Sequence, residues 1–98
     1  MMNTLYIAVL TYTAPLEDVE RHLPAHMEWL EKGYAEGAFI ASGRRVPRTG
    51  GIIVAKGTHL SEVESRLQQD PFQLHSVASF DVYPFVVSKH VEALTGLF

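Results

Sequence analysis

The sequence has no cysteine among its 98 residues. Disulfide bonds, thiolate metal ligands and a cysteine nucleophile are therefore excluded. Long hydrophobic runs are absent too, since none approaches the roughly 18 apolar residues that a membrane-spanning helix needs. The first residues also lack the basic stretch that opens a secretion signal. We therefore expect a cytoplasmic protein with no membrane partner.

Positive charge is scarce as well. Lysine and arginine total 8 against 11 acidic residues, which gives a formal net charge of -3. Nucleic-acid binding requires a basic surface, so we expect no nucleic-acid partner. The one basic cluster, Arg44, Arg45 and Arg48, has no interleaved aromatic residues on which bases would stack. It suits a small anionic ligand or the carboxylates of a partner better, and a solvated loop is the alternative.

Two catalytic motifs are also missing. The chain has neither a glycine-rich phosphate-binding loop nor a Gly-x-Ser-x-Gly sequence, so nucleotide-dependent enzymes and serine hydrolases are not supported. What is present is the composition of an ordinary globular protein, with 47% hydrophobic and 19% charged residues. Length and composition together predict one domain over residues 1–98, with a C-terminal tail from about residue 88.

Hydrophobic periodicity and turn residues predict four strands and two main helices. In chain order these are the strand Leu5–Tyr12, a helical turn at Leu16–His22, the main helix from Pro24 to about Glu36, the strand Ala38–Ser42, the arginine loop Gly43–Gly50, the strand Gly51–Lys56, a short helix and the strand Val77–Val87. We expect Ser61 and Glu64 to form a capping box in the short helix and Pro71 to end it. The order βαββαβ predicts a ferredoxin-like α+β fold, with one antiparallel sheet and two helices on one face.

The first and last predicted strands are apolar on both of their faces. The first strand alternates Leu5, Ile7 and Val9 with a second apolar set, and the last strand does the same. Because the helices cover only one face, the other face would be a large exposed apolar patch. We therefore expect a homodimer joined through the sheet face. Pro84 within the last strand indicates an edge position or a bulge.

His26 is the most informative single residue. At about 100° per residue it falls on the apolar side of the main helix, with Trp29 and Leu30. A titratable ring that points inward must be hydrogen-bonded, neutralised or used. His26 is therefore either a satisfied core histidine or the centre of a site.

Several short motifs occur in a specific order and spacing. They are Pro24-Ala25-His26 with Leu30, Ser42-Gly43 after the second strand, Gly50-Gly51 before the third strand, and Asp70-Pro71-Phe72 after the second helix. Together, over roughly residues 4 to 88, they resemble the YciI-like (YCII-related) family of small dimeric α/β-barrel proteins with a ferredoxin-like fold. The resemblance implies a small-molecule pocket in which His26 and Asp70 meet.

The resemblance gives stronger support for the fold than for the reaction. The family includes a protein similar to a dehydrochlorinase, and related barrels include isomerases and monooxygenases. This chain departs from the family pattern after Asp-Pro-Phe, where Gln73-Leu74-His75-Ser76 stands in place of small residues and a glycine. His75 therefore either adds a second imidazole to the pocket or points into solvent.

We expect Asp70 at the C-terminal end of the second helix, where the helix dipole disfavours an anion. Beside His26, its carboxylate would fix the tautomer of the imidazole and raise its basicity, which produces a general acid/base. Two alternatives remain. Asp70 would cap an ordinary Asp-Pro turn, or His26 would bond to a backbone carbonyl.

Five residues are candidates for binding a substrate in this pocket: Ser42, Gly43, Arg44, Arg45 and Phe72. The serine hydroxyl would orient a ligand, an arginine would meet a carboxylate or phenolate, and the phenylalanine would wall an aromatic ring. Strand termination, solvation and core packing explain the same residues without a ligand.

Metal binding is not expected. His22 and His26 have i,i+4 spacing, but Pro24 separates them into different helical segments. The chain also lacks a His-Glu-x-x-His sequence. We expect neither a metal nor another cofactor.

These observations predict a cofactor-independent enzyme that uses His26 and Asp70 for general acid/base chemistry, in an elimination or isomerisation. The substrate is a small polar molecule, aromatic compounds included, with an anionic group near Arg44 or Arg45. One alternative is a dimer that binds or senses a small molecule without converting it. Another is a structural dimer whose polar pocket has no ligand.

Overall fold

The computed structural model describes residues 3–98. Its elements, in chain order, are β1 (Thr4–Tyr12), α1 (Leu16–Arg21), α2 (Leu23–Ala35), β2 (Phe39–Arg44), β3 (Gly50–Lys56), α3 (Leu60–Leu67), α4 (Pro71–Leu74), β4 (Ala78–Val86) and a 3-10 helix (Glu92–Leu97). Within the described residues, no helix is long and apolar enough to cross a bilayer.

The four strands form one antiparallel sheet in the order β2-β3-β1-β4. This is the predicted ferredoxin-like α+β arrangement, so the fold class is confirmed. β4 lies at an edge of the sheet, in agreement with the edge position that Pro84 indicates.

The main helix, α2, has the predicted start and stop signals. It begins at Leu23 and carries Pro24 in its first turn, where the missing N–H of proline costs no hydrogen bond. It ends at Ala35. Gly37 follows with a φ of 75°, a left-handed conformation that glycine adopts without strain.

The start of α3 differs from the prediction. α3 begins at Leu60 with His59 as its N-cap, so Ser61 lies inside the helix and the predicted capping box is wrong. The carboxylate of Glu62 accepts a hydrogen bond from the backbone N–H of Thr58 at 3.3 Å. The side chain of the third residue of α3 therefore bonds to the backbone just before the helix.

A second helical segment, not predicted from the sequence, precedes β4. α3 ends at Leu67, and α4 begins at Pro71, whose fixed φ suits a first helical position. Pro71 therefore starts a helix rather than ending one. As a result, Asp70 stands at the start of α4.

The arginine loop is shorter than predicted. β2 continues through Arg44, and β3 already begins at Gly50, which leaves residues 45–49 as the loop. A Cβ at Gly50 would overlap the carbonyl oxygen of Leu10. Glycine is required there because the β1 backbone approaches closely.

The four α-helices pack on one face of the sheet, which we call the covered face. Because side chains alternate along a strand, Tyr6, Ala8 and Leu10 of β1 point to the same side, and all three are buried. Two clusters of buried side chains join this face to the helices. They contain Leu30, Val63 and Leu67 on one side, and Val19 and Phe72 on the other.

The opposite face of the sheet remains apolar and only partly covered. Strand pairing sets Val9 beside Ile52, and Ile7 between Val54 and Tyr83. Ile7 and Val9 are half-buried, whereas Tyr83 is 59% exposed. We call this surface the open face. Its apolar residues are Leu5, Ile7, Val9, Ile52, Val54, Tyr83 and Phe85, and Asp81, which pairs with Val9, adds a negative charge to it.

Candidate active site

His26 lies on the buried side of α2. It is 7% exposed, and Leu30 and Gly33, one and two turns further on, are buried as well. Its Nδ1 lies 2.7 Å from Oδ1 of Asp70, which is 44 residues further along the chain. Helices α2 and α4 pack together, and the structure thereby brings the two predicted catalytic residues into contact.

Asp70 is fully buried and is the N-cap of α4. Its Oδ1 accepts a hydrogen bond from the backbone N–H of Phe72 at 3.0 Å, in addition to its contact with His26. The expectation that Asp70 ends a helix is wrong, because α4 is a separate helix that starts at the next residue. At a helix start, free N–H groups and the helix dipole stabilise a carboxylate.

The contact with Asp70 assigns the tautomer of the imidazole. A carboxylate only accepts hydrogen bonds, so Nδ1 of His26 donates. In the neutral ring, the lone pair then lies on Nε2. The part of the ring that remains for a ligand is therefore a proton acceptor.

Neighbouring aromatic rings hold the imidazole plane in place. Phe72 stacks on His26 with ring centroids 4.0 Å apart and planes inclined by 7°. Trp29 packs beside it at a centroid distance of 5.6 Å. Since Asp70 fixes the edge of the ring and these neighbours fix its plane, His26 is positioned before any ligand arrives.

The second carboxylate oxygen of Asp70 makes no hydrogen bond within the described residues. Oδ2 is buried and has no hydrogen-bond partner among residues 3–98. A buried acceptor without a partner costs about 1–3 kcal/mol, and such groups are rare in folded proteins. The carboxylate thus serves both the helix start and the imidazole with a single oxygen.

A cavity of about 300 Å³ opens beside His26. This volume is at the lower end of the range for small-molecule sites. Apolar side chains form most of the wall, which is also typical of such sites. The polar side chains that line it are Tyr12, His26, Ser42, Arg44 and Arg48.

Arg44 and Arg45 are neighbours in sequence but lie on opposite sides of the sheet. Arg44 pairs with Gly51, which also pairs with Leu10, so Arg44 shares the covered face with Leu10. Arg45 donates from Nη1 to Oγ1 of Thr11 at 3.2 Å. The structure therefore places Arg44 in the cavity wall and Arg45 away from the cavity.

The other three predicted binding residues all line the cavity. Ser42 contributes a hydroxyl that lies 2.7 Å from the hydroxyl of Tyr34, a contact that orients it. Gly43 contributes backbone, and Phe72 contributes the ring that also stacks on His26.

Sequence reasoning missed two polar residues of the cavity wall, Tyr12 and Arg48. Arg48 is the charged one of the two. It lines the cavity from the loop between β2 and β3. The sequence identified it only as a member of the basic cluster, because a loop conformation has no period from which a side-chain direction follows. Its proximity to Gly50 and Gly51, themselves part of the family motif, was the available signal.

His75 does not line the cavity. It is exposed, and its ring stacks on that of His22 with centroids 4.0 Å apart. With the stack of Phe72 on His26, this makes two ring pairs between α4 and the start of α2. Among residues 3–98, no three His, Asp or Glu side chains form a group suited to holding a metal ion.

Comparisons with known proteins give a family and a fold. The family model for the YCII-related domain matches residues 5–86. A similar solved structure is 5-chloro-2-hydroxyhydroquinone dehydrochlorinase from Burkholderia phenoliruptrix AC1100, in complex with 2,5-dihydroxybenzoquinone. Its TM-score is 0.72 at 19% sequence identity, and the match covers 91% of this chain and 97% of that one, which shows a common fold. No curated protein matches the sequence.

Proposed function

Because the chain belongs to the YCII-related domain family, as its motifs predict, we propose that it is a cofactor-independent enzyme acting on a small polar molecule, aromatic compounds included. His26 is the general acid/base, and Asp70 orients its ring. The reaction is an elimination or an isomerisation that begins with removal of a proton. The observation that carries this proposal is the buried 2.7 Å contact between His26 and Asp70 at the wall of a cavity.

The step assigned to His26 is a proton transfer at Nε2. This nitrogen accepts a proton from the substrate, and the electron pair of the broken bond stays on the substrate. In an elimination, that pair forms a double bond as the leaving group departs with its own pair. In an isomerisation, Nε2 returns the proton to another atom. Asp70 stabilises the positive charge that the ring carries in between.

The similar solved structure supports this class of reaction. Its protein is named a dehydrochlorinase, and the removal of hydrogen chloride is an elimination. Its complex contains a dihydroxybenzoquinone. A compound with one ring of this kind is small against a cavity of about 300 Å³.

Chloride release from 5-chloro-2-hydroxyhydroquinone tests the proposal, together with solvent-deuterium incorporation into a panel of small phenols and quinones. We expect His26→Ala to lower kcat/KM about 10²–10⁴-fold, because the proton acceptor is lost. Asp70→Asn should have a smaller effect, because the amide oxygen can still cap α4 and accept from Nδ1, whereas the negative charge that stabilises the protonated ring is lost.

His75→Ala is the matched control, because that imidazole lies outside the cavity. It should change kcat/KM by less than about twofold. A folded His26→Ala variant with unchanged kcat/KM would contradict the assignment. So would a wild-type protein that neither releases chloride nor exchanges deuterium with any compound of the panel.

One observation favours a second function. Oδ1 of Asp70 also caps α4, so the pair has a structural use even where no chemistry occurs. In that case the protein is a dimer that binds or senses a small molecule. A ligand that raises the melting temperature and is recovered unchanged after incubation supports this alternative, whereas conversion to product supports the enzyme.

We also propose a homodimer joined through the open face. Tyr83 and Phe85 are 59% and 44% exposed there, beside the half-buried Ile7 and Val9. An apolar surface of this kind favours association. A second copy carries the same surface, so a two-fold arrangement buries both at once.

A further inference from the structure

The cavity beside His26 carries positive charge in an acidic protein. Among residues 3–98, Arg44 and Arg48 line it, whereas no aspartate or glutamate does. The chain as a whole has a formal net charge of -3. Clefts lined by charge of one sign focus the field and concentrate the opposite charge, so this cavity attracts anions.

Arg48, which lines this cavity, has a donor without a partner in the described part of the fold. Its side chain is 32% exposed, and its Nη1 donates to Oε1 of Glu20 at 3.3 Å. Its Nε is buried and has no hydrogen-bond partner among residues 3–98. Because a buried N–H without a partner is unfavourable, an acceptor oxygen that reaches Nε is stabilised there.

The contact with Glu20 leaves one edge of the guanidinium available. Glu20 lies on α1 and is exposed, so its ion pair with Arg48 adds little to stability. The ion pair with Glu20 uses Nη1. The N–H groups of Nε and Nη2, which point in the same direction, take no part in it. Such a fork matches the paired oxygens of a carboxylate or a single enolate oxygen.

We propose that the ligand of this cavity is a small organic anion, and that Arg48 is the residue that recognises its ionised oxygen. The apolar wall accommodates the carbon skeleton, and Arg44 adds a second positive charge. The proposal rests on the function proposed for His26, because it assigns the substrate class of the same site. As His26 removes a proton, the substrate gains negative charge, and the positive charges of Arg48 and Arg44 stabilise it.

Calorimetric titration of the full chain with two matched pairs of compounds tests the proposal. One pair is 2,5-dihydroxybenzoate and its neutral methyl ester, and the other is 2,5-dihydroxybenzoquinone and its neutral dimethyl ether. We expect Arg48→Ala to weaken anion binding about 10–100-fold, because a hydrogen-bonded charge pair is lost. Binding of the neutral members should change by less than about twofold. A larger affinity difference between the benzoate and its ester indicates that the site binds a carboxylate. A larger difference between the quinone and its ether indicates that it binds an enolate.

Two further variants keep the test specific. Arg48→Lys retains the charge without the fork, so we expect an intermediate loss, and it preserves the test if the alanine variant is unstable. Arg21→Ala removes the same charge from α1, where Arg21 is exposed and lies 3.4 Å from Asp18. This control should weaken anion binding by less than about twofold.

Three results would overturn the proposal. They are equal losses for anions and neutral compounds in Arg48→Ala, equal losses in Arg48→Ala and Arg21→Ala, and a wild-type protein that shows no preference for the anions. The outcome is separable from the proposed chemistry, because His26→Ala should lose turnover and keep the anion preference. If turnover depends on His26 while anion binding does not depend on Arg48, only the role assigned to Arg48 is contradicted.

Discussion

On the covered face of the sheet, Tyr6, Ala8 and Leu10 are buried beneath the helices, whereas on the open face of the same strand Leu5 is buried but Ile7 and Val9 are only half-buried. The buried polar residues among 3–98 are His26 and Asp70, and both belong to the covered side. Successive residues of one strand therefore face two different environments. Those on the covered face build the core and the cavity, and those on the open face contribute to the apolar surface that the proposed homodimer would bury.

The largest effect should come from Phe72→Ala on the covered side. Phe72 is 1% exposed and stacks on His26, so we expect the free energy of unfolding to fall by about 3–5 kcal/mol. Phe85→Ala on the open face is the matched control. Its ring is 44% exposed, and we expect a loss below about 1 kcal/mol in the dissociated protomer. Urea unfolding at low protein concentration measures both, and equal losses would remove the distinction between the faces.

The next effect concerns association through the open face. Tyr83→Asp places a carboxylate where the proposed homodimer buries apolar surface, so we expect the dissociation constant of the dimer to rise at least about 100-fold. Sedimentation velocity over a range of protein concentrations measures this change.

Leu74→Asp is the control for that experiment. Leu74 is 62% exposed but lies on α4, outside the open face. The dissociation constant should therefore stay within about threefold of the wild-type value. A Tyr83→Asp variant that associates as strongly as the wild type contradicts the dimer, as does a wild-type protein that is monomeric at micromolar concentration.

The smallest effect compares two glycines. A Cβ at Gly33 would overlap the ring of Phe39 in the core, so Gly33→Ala should lower the free energy of unfolding by about 1–3 kcal/mol. Gly43 pairs with Ile52, and a Cβ there meets nothing within 4 Å. Gly43→Ala should be neutral or stabilise by about 0.4–1 kcal/mol. Thermal unfolding compares the two variants. Equal destabilisation would show that the lack of space at Gly33 is not the cause of its loss of stability.

The main helix and the first strand were predictable because both are long. α2 has 13 residues and carries its apolar residues at helical spacing, and β1 has 9 residues with a continuous apolar run typical of a buried strand. α4 has only 4 residues, too few for a period, and the position of Asp70 at a helix start therefore remained hidden. The contact of His26 with Asp70 followed from the family resemblance rather than from spacing.

The arginines show how sensitive such a prediction is to one boundary. Because side chains alternate along a strand, extending β2 to Arg44 decides which arginine faces the helices and which faces away. Arg45 bonds to Thr11 instead of lining the cavity. The direction of Arg48 depends on the conformation of residues 45–49, which no local pattern specifies.

Oδ1 of Asp70 accepts hydrogen bonds from both the start of α4 and the ring of His26. A protein of this fold without the proposed chemistry would still need an aspartate or a similar cap at that position to begin the helix. An aspartate there is therefore compatible with the presence and with the absence of that chemistry. Position 26 begins no helix, so the histidine at that position, and not the aspartate, distinguishes the two cases.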